Sequence, residues 1–309
     1  MKLLGLVSLG VALAALLALA QGCDRAHRVR PDGAAEKSAT AVSDDLPTID
    51  AHTHTEFENH PEPVSAIPMT QDEYFRQLKE ANVVGAIAHT HQGKNDYFDL
   101  RARGITHCVG VGASPDLKDA ENGFKSGKYG CIKIYLGYVH QWASDRHYQP
   151  LYKLAEKYDV AVVFHTGDTY STKGKLKYAD PLTIDEVAVE HPKVRFVIAH
   201  CGNPWIESAA EVAYKNPNVY LDASAFMIGN LDKQPQEKID EYVVKPLRWI
   251  FGYLEDPNKL MFGSDWPLTY IATYKRAVQR AIPREHWKAV FHDNAVRVFK
   301  LKPAPGPLQ

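Results

Sequence analysis

Val160-Ala161-Val162-Val163-Phe164-His165 and Val194-Arg195-Phe196-Val197-Ile198-Ala199-His200 decide the fold. Both runs are apolar or β-branched almost throughout, the pattern of strands covered on both faces in a parallel sheet. Between them, Asp180–His191 reads as a helix, with Pro181 in its first turn and Pro192 just beyond its end. Six further runs follow the same pattern: Thr48–His54, Val83–His89, His107–Ala113, Cys131–Tyr138, Val219–Ala223 and Leu260–Ser264. Helical stretches separate most of them. Thr70-Gln71-Asp72-Glu73 is a capping box opening a helix through Lys79. Gln149–Tyr158, Trp205–Tyr214, Lys238–Tyr253, Ile271–Ala281 and His286–Phe291 follow, and Asn294–Phe299 closes the series by bracing Val298 and Phe299 on the sheet. Eight strands alternating with helices over residues 47–302 predict an α/β fold, a (β/α)8 TIM barrel, whose usual size is about 250 residues. A doubly wound open sheet is the rival, but no Gly-rich dinucleotide turn follows the first run. The tail, 303–309, is Pro-rich and expected to be loose.

The net charge of −1 over 309 residues is no basic excess, so nothing in it points to nucleic acid. Met1-Lys2 and the apolar run Leu3–Ala20 form a targeting segment. Ala20-Gln21-Gly22-Cys23 resembles a bacterial lipoprotein cleavage box, although Ala20 stands where Leu is commonest and Gln21 where a small residue is usual. The resemblance implies a signal peptide over 1–22 and a lipid on Cys23, which would tie the chain to a membrane. Asp24 resembles an inner-membrane retention signal, which places the protein on the periplasmic side of the inner membrane, or at the cell surface in a Gram-positive host. Residues 23–46 are polar and aperiodic, a flexible tether. Cys108, Cys131 and Cys201 lie in or beside apolar runs, and their odd number favours small core residues over a disulfide framework.

The chemistry collects at the ends of the strands, where barrel enzymes place their sites. Run one ends in His52 and His54, which share a strand face with Asp50. The runs opened above end in His165 and His200, and the last leads into Asp265. A pair of histidines two residues apart is ordinary by itself. Four strands of eight ending in ligand-type residues point to a divalent metal with room for water. Lys133 stands inside the apolar run Cys131-Ile132-Lys133-Ile134-Tyr135, on one face with Tyr135. A buried lysine is costly unless paired. It is either an interior cation paired with a carboxylate such as Asp50, or a group that holds an anionic substrate. His89, His91, Tyr138, His140, Trp142, Asp168, Tyr170 and Asp222 follow or end other strands; all could line the pocket mouth, and each reads as a supporting residue behind the ligands or as plain surface rather than as catalytic.

Asp50-Ala51-His52-Thr53-His54, His165, His200-Cys201-Gly202-Asn203-Pro204, Phe262-Gly263-Ser264-Asp265-Trp266-Pro267 and Asn294–Phe299 occur in one order. In that order they resemble the amidohydrolase superfamily, in its amidohydrolase-related branch with aminocarboxymuconate semialdehyde decarboxylase and related lactonases and hydrolases. The resemblance implies His52, His54, His165 and Asp265 as metal ligands, with Asp265 and His200 moving protons. It implies one divalent metal, Zn²⁺ first and Mn, Fe or Co as alternatives; a two-metal site bridged by a carboxylated Lys133 ranks last. The expected activity is hydrolysis of an ester, lactone or amide carbonyl of a small molecule by a metal-activated water. Decarboxylation of an unsaturated carboxylate is the alternative, and a non-catalytic metal- or ligand-binding lipoprotein a third. Lys133 and Tyr135 are the expected substrate-binding residues, and a homo-oligomer is left open.

Overall fold

The computed structural model describes residues 45–90 and 98–309. The signal segment, Cys23, most of the tether and His91 lie outside the described residues. Eight parallel strands pair in chain order: β1 Thr48–Thr53, β2 Val83–His89, β3 Ile105–Val111, β4 Cys131–Ile134, β5 Ala161–Phe164, β6 Phe196–Ile198, β7 Val219–Asp222 and β8 Leu260–Met261. Beyond β8 the chain turns back onto β1. Ala51 N–H donates to Phe262 O, Asp265 N–H to His52 O and His54 N–H to Trp266 O, at 2.9, 2.7 and 2.8 Å, and these bonds close the barrel. The helices are α1 Gln71–Glu80, α2 Leu117–Ser126, α3 Gln149–Tyr158, α4 Thr183–Glu190, α5 Ile206–Lys215, α6 Lys245–Leu254, α7 Ile271–Ala281 and α8 Asn294–Phe299. Among the described residues, no helix is long and apolar enough to cross a membrane.

Local chemistry accounts for most of these boundaries. Thr70 caps α1 by accepting from Glu73 N–H. Asp116 caps α2 through Lys118 N–H and Asp119 N–H. That helix was not expected, because its sequence is mostly polar and it buries only Ala120, Gly123 and Phe124. Gly123 is required there: a Cβ would sit 2.1 Å from the Tyr129 ring. The run Cys131–Tyr138 divides into β4 and a helical turn, Leu136–Val139. Continuous apolarity cannot separate a buried strand from a buried turn. β2 matches its run, β3 begins two residues earlier than expected, and β1 and β5–β8 are trimmed at their ends, so that His165, His200 and Asp265 stand just past the ladder, where the chain is free to turn.

An interior file of small and branched side chains fills the barrel, with Ile49, Val84, Cys108, Cys131, Ala161, Val163, Val197 and Met261 among them. Ala295, Val298 and Phe299 of α8 join this cluster and plug one end. Two expectations are corrected here. Cys108 and Cys131 are not separate core residues. The parallel register of β3 and β4 sets them directly opposite, with Cα atoms 4.3 Å apart, and they form a disulfide, leaving Cys201 as the free, buried cysteine. Register is a tertiary property that spacing along the chain does not reveal. The tail is not loose either. Ala304 and Leu308 donate to Val84 O and Val83 O at 2.9 and 2.8 Å, Arg103 Nε reaches Gln309 O, and Leu308 is buried. The β2 carbonyls take these donors from the tail.

Two stability predictions follow from these contacts. Replacing Cys108 and Cys131 together by alanine releases a loop spanning 23 positions. By loop-closure entropy this lowers stability by about 3 kcal/mol, read as an earlier urea midpoint. His107 is buried and accepts Leu100 N–H at 3.2 Å through Nε2. Burial lowers its pKa from 6.5 to about 4. The unfolded chain therefore takes up this proton first as pH falls. Stability is lost between pH 6.5 and about 4 and is flat below that window with respect to this group. The loss is on the order of 2–3 kcal/mol, and His107→Gln should flatten that part of the urea-midpoint-against-pH curve.

Candidate metal centre

His52, His54 and Asp265 are drawn together by the β8–β1 closure. Gly263 permits the approach, since a Cβ there would lie 2.9 Å from His52 Cβ. Asp265 takes a left-handed φ of 64°, which costs a non-glycine residue about 1–2 kcal/mol. The ring nitrogens are sorted by their outer partners. His52 Nδ1 lies 2.9 Å from Asp222 Oδ2, and His54 Nδ1 lies 2.9 Å from His89 O. A carbonyl oxygen only accepts, as does a carboxylate, so the network assigns the hydrogen to Nδ1 of each ring. The two Nε2 lone pairs then face the same oxygen, Asp265 Oδ1, at 3.5 Å for His52 and 3.2 Å for His54. Three lone-pair atoms converging at this range repel unless a cation lies among them. Histidines tied back at one nitrogen and open at the other are how proteins prepare metal ligands.

Charge agrees with that reading. Burial raises the carboxyl of Asp265, but His52, His54 and His200 outweigh it and hold the group far below the usual carboxylate range. Burial lowers the pKa of His52, His89, His165 and His200. In His54, burial is outweighed by Asp265 and Glu56, and the pKa rises. The result is an ionised carboxylate among mostly neutral imidazoles, a donor set that fits a borderline divalent cation.

The remaining expected residues surround this group at different distances. His200 Nδ1 lies 3.9 Å from Asp265 Oδ2. Its backbone opens a left-handed turn, with φ of 58°, 46° and 68° at His200, Cys201 and Gly202. That turn packs so tightly on Pro181 that a Cβ on Gly202 would lie 2.3 Å from the Pro181 ring. His165 stands outside the His52–His54–Asp265 group. Its ring is 5.0 Å from that of His200 and 4.9 Å from Tyr138, and its Nδ1 has no hydrogen-bond partner among the described residues. Lys133 is fully buried, with Nζ 3.4 Å from His52 Nε2. Burial lowers its pKa to about 8 against the pull of Asp222 and Asp265. Those two carboxylates, rather than Asp50, are the ones that act on it. Asp50 instead accepts Ser264 N–H at 2.8 Å and His52 N–H at 3.2 Å. Tyr135 donates its hydroxyl to Thr90 O at 3.0 Å, and its ring lies beside Lys133 and His165.

Three further residues stand behind the ligands. Asp222 is fully buried behind His52, in the supporting place expected of it. His89 is fully buried, its ring 4.2 Å from His52, and neither of its nitrogens has a hydrogen-bond partner among the described residues. Both end strands, the same signal that exposed His165 and His200. Ser224, which bonds Asp222 and His200, carried no signal of type or spacing.

A family model described as amidohydrolase matches residues 49–301. No curated protein matches the chain. Among solved structures, a probable 2-pyrone-4,6-dicarboxylic acid hydrolase from Acinetobacter baumannii is 16% identical over 83% of this chain and 100% of its own, with a TM-score of 0.62. A zinc-bound amidohydrolase from Burkholderia multivorans gives the same identity, coverage and score, 16%, 83% and 100%, and 0.62. 5-Carboxyvanillate decarboxylase from Sphingomonas paucimobilis is 12% identical over 83% and 100%, with a TM-score of 0.57. At these identities the likeness shows the fold, a TIM barrel.

Proposed function

The chain belongs to the amidohydrolase family, and on that premise we propose that it is a metal-dependent hydrolase acting on the ester, lactone or amide carbonyl of a small molecule. The observation that carries this reading is the convergence of His52 Nε2, His54 Nε2 and Asp265 Oδ1, with each imidazole tied back through Nδ1. These three residues would hold one divalent cation, Zn²⁺ first, with His165 completing the set from the side of His200. Such a cation polarises a carbonyl oxygen and brings the pKa of a water down to about 7. Asp265, ionised and buried, is the group nearest the convergence point and takes up the proton that the attacking water releases. Asp265 then delivers that proton to the leaving group, and His200, whose ring lies beside it, assists electrostatically or as an acid/base at Nε2. Lys133 holds an anionic part of the substrate, and the Tyr135 ring walls the pocket beside it.

Carboxy-lyase chemistry is the second reading. A fully buried lysine cation near the same centre favours it, because it suits a carboxylate substrate. Isotopically labelled water separates the two, since hydrolysis places solvent oxygen in the product and decarboxylation releases CO₂ without it. The metal itself is tested by chelation. The full chain should carry close to one equivalent of metal, lose at least about 10³-fold in turnover on a panel of lactones, esters, amides and unsaturated carboxylates when stripped, and recover on adding Zn²⁺. Unchanged turnover in metal-free protein would sink the reading.

We also propose that the protein is exported and lipid-anchored through Cys23. The Cys108–Cys131 disulfide supports this, since such bonds persist in oxidising compartments. Radiolabelled palmitate incorporation that disappears in Cys23→Ala would test it.

A further inference from the structure

Ser224 lies just beyond β7, fully buried. Its N–H donates to Asp222 Oδ1 at 3.1 Å, and its hydroxyl is in hydrogen-bond contact with the same oxygen. The hydroxyl oxygen is also 2.9 Å from His200 Nδ1 and 3.3 Å from His52 Nδ1. Asp222 accepts His200 N–H at 3.1 Å through Oδ1 and faces His52 Nδ1 at 2.9 Å through Oδ2. Every neighbour of this carboxylate is thus a donor. A hydroxyl carries one hydrogen. Two oxygens in hydrogen-bond contact need a hydrogen between them, and the carboxylate has none to give, so Ser224 donates to Asp222. Its oxygen can then only accept from His200, and His200 Nδ1 must carry the hydrogen.

We propose that Ser224 is a positioning residue that fixes His200 as the Nδ1–H tautomer, with the lone pair on Nε2. Asp222 does the same for His52 directly. The pair Asp222–Ser224 therefore sets both rings in one sense from a single strand end. His200 then meets the substrate side of the site as a proton acceptor at Nε2. Without the hydroxyl, no other group among the described residues lies within hydrogen-bond distance of His200 Nδ1 to enforce that choice, Asp265 Oδ2 being 3.9 Å away. The effect on turnover rests on the metal-dependent reading above; the tautomer does not.

The test is long-range ¹H–¹⁵N correlation on the full chain labelled with [¹⁵N]histidine, with resonances assigned from His52→Gln and His200→Gln. Both rings are expected as Nδ1–H in the unsubstituted protein. Ser224→Ala should move His200 to Nε2–H or to a mixture and leave His52 in place. Ser224→Thr, which keeps the hydroxyl, should restore the original pattern. On any substrate that is turned over, Ser224→Ala should lower kcat by about 10–100-fold with little change in KM, and Ser224→Thr should recover most of it. His200 found as Nε2–H in the unsubstituted protein overturns the proposal, as does an unchanged His200 tautomer in Ser224→Ala. Should Ser224→Ala not fold, the spectrum of the unsubstituted protein decides alone. The expected tautomers in a protein that turns over nothing would fault the hydrolase reading and leave this one standing.

Discussion

Asp265→Asn should reduce turnover by about 10³-fold or more and remove most of the bound metal. The substitution keeps the shape of the side chain and deletes its charge. Asp265 Oδ1 is the point on which His52 Nε2 and His54 Nε2 converge, at 3.5 and 3.2 Å, so the lost charge is the one that balances a divalent cation there. The same group is the proposed proton acceptor, so ligand and base vanish together. It also holds the pKa of His54 up, and without it burial acts on that imidazole with only Glu56 opposing. Metal content by mass spectrometry and turnover on the substrate panel read the two losses separately. Asparagine protein that keeps its metal and its rate would remove Asp265 from both roles.

Lys133→Met should lower kcat/KM by about 10²-fold while the metal stays near one equivalent. Methionine approximates the length of lysine and leaves no cavity. What is lost is a cation that lies 3.4 Å from His52 Nε2 and is acted on by Asp222 and Asp265. Deleting one member of a buried charge cluster costs about 3–5 kcal/mol where the others stay unpaired. The added metal therefore has to take over that balancing, and Lys133→Met should depend more strongly on Zn²⁺ for its thermal stability than the unsubstituted protein does. Loss of metal from Lys133→Met would instead place Lys133 among the ligands and revive a two-metal centre.

His52, His54 and Asp265 show how far a strand-end rule reaches. Each ends or follows an apolar run, and the barrel brings the three to one point through bonds such as Asp265 N–H to His52 O. His165 obeys the same rule, yet it stands across from the other three beside His200, because strand order fixes neighbours and not the reach of a side chain. His89 and Asp222 also end strands, but nothing in their own stretches distinguishes a residue buried against His52 from one at the mouth. Ser224 is of a common type with no periodic partner, and only its three-way contact with Asp222, His200 and His52 gives it a role.

The sequence by itself determined the order of strands and helices, the barrel and the strand ends that hold the chemistry. Apolar runs, caps and prolines act within a few residues, so local pattern is sufficient to read them. Only the tertiary structure decided that Cys108 meets Cys131, that the tail is pinned to β2 through Ala304 and Leu308, and that Lys133 answers to Asp222 and Asp265 rather than Asp50. Each of these depends on which parts of the chain meet in space, through strand register for the cysteines and through packing on β2 for the tail. That register is fixed by barrel closure and packing, forces that act across the molecule and leave no trace in residue spacing.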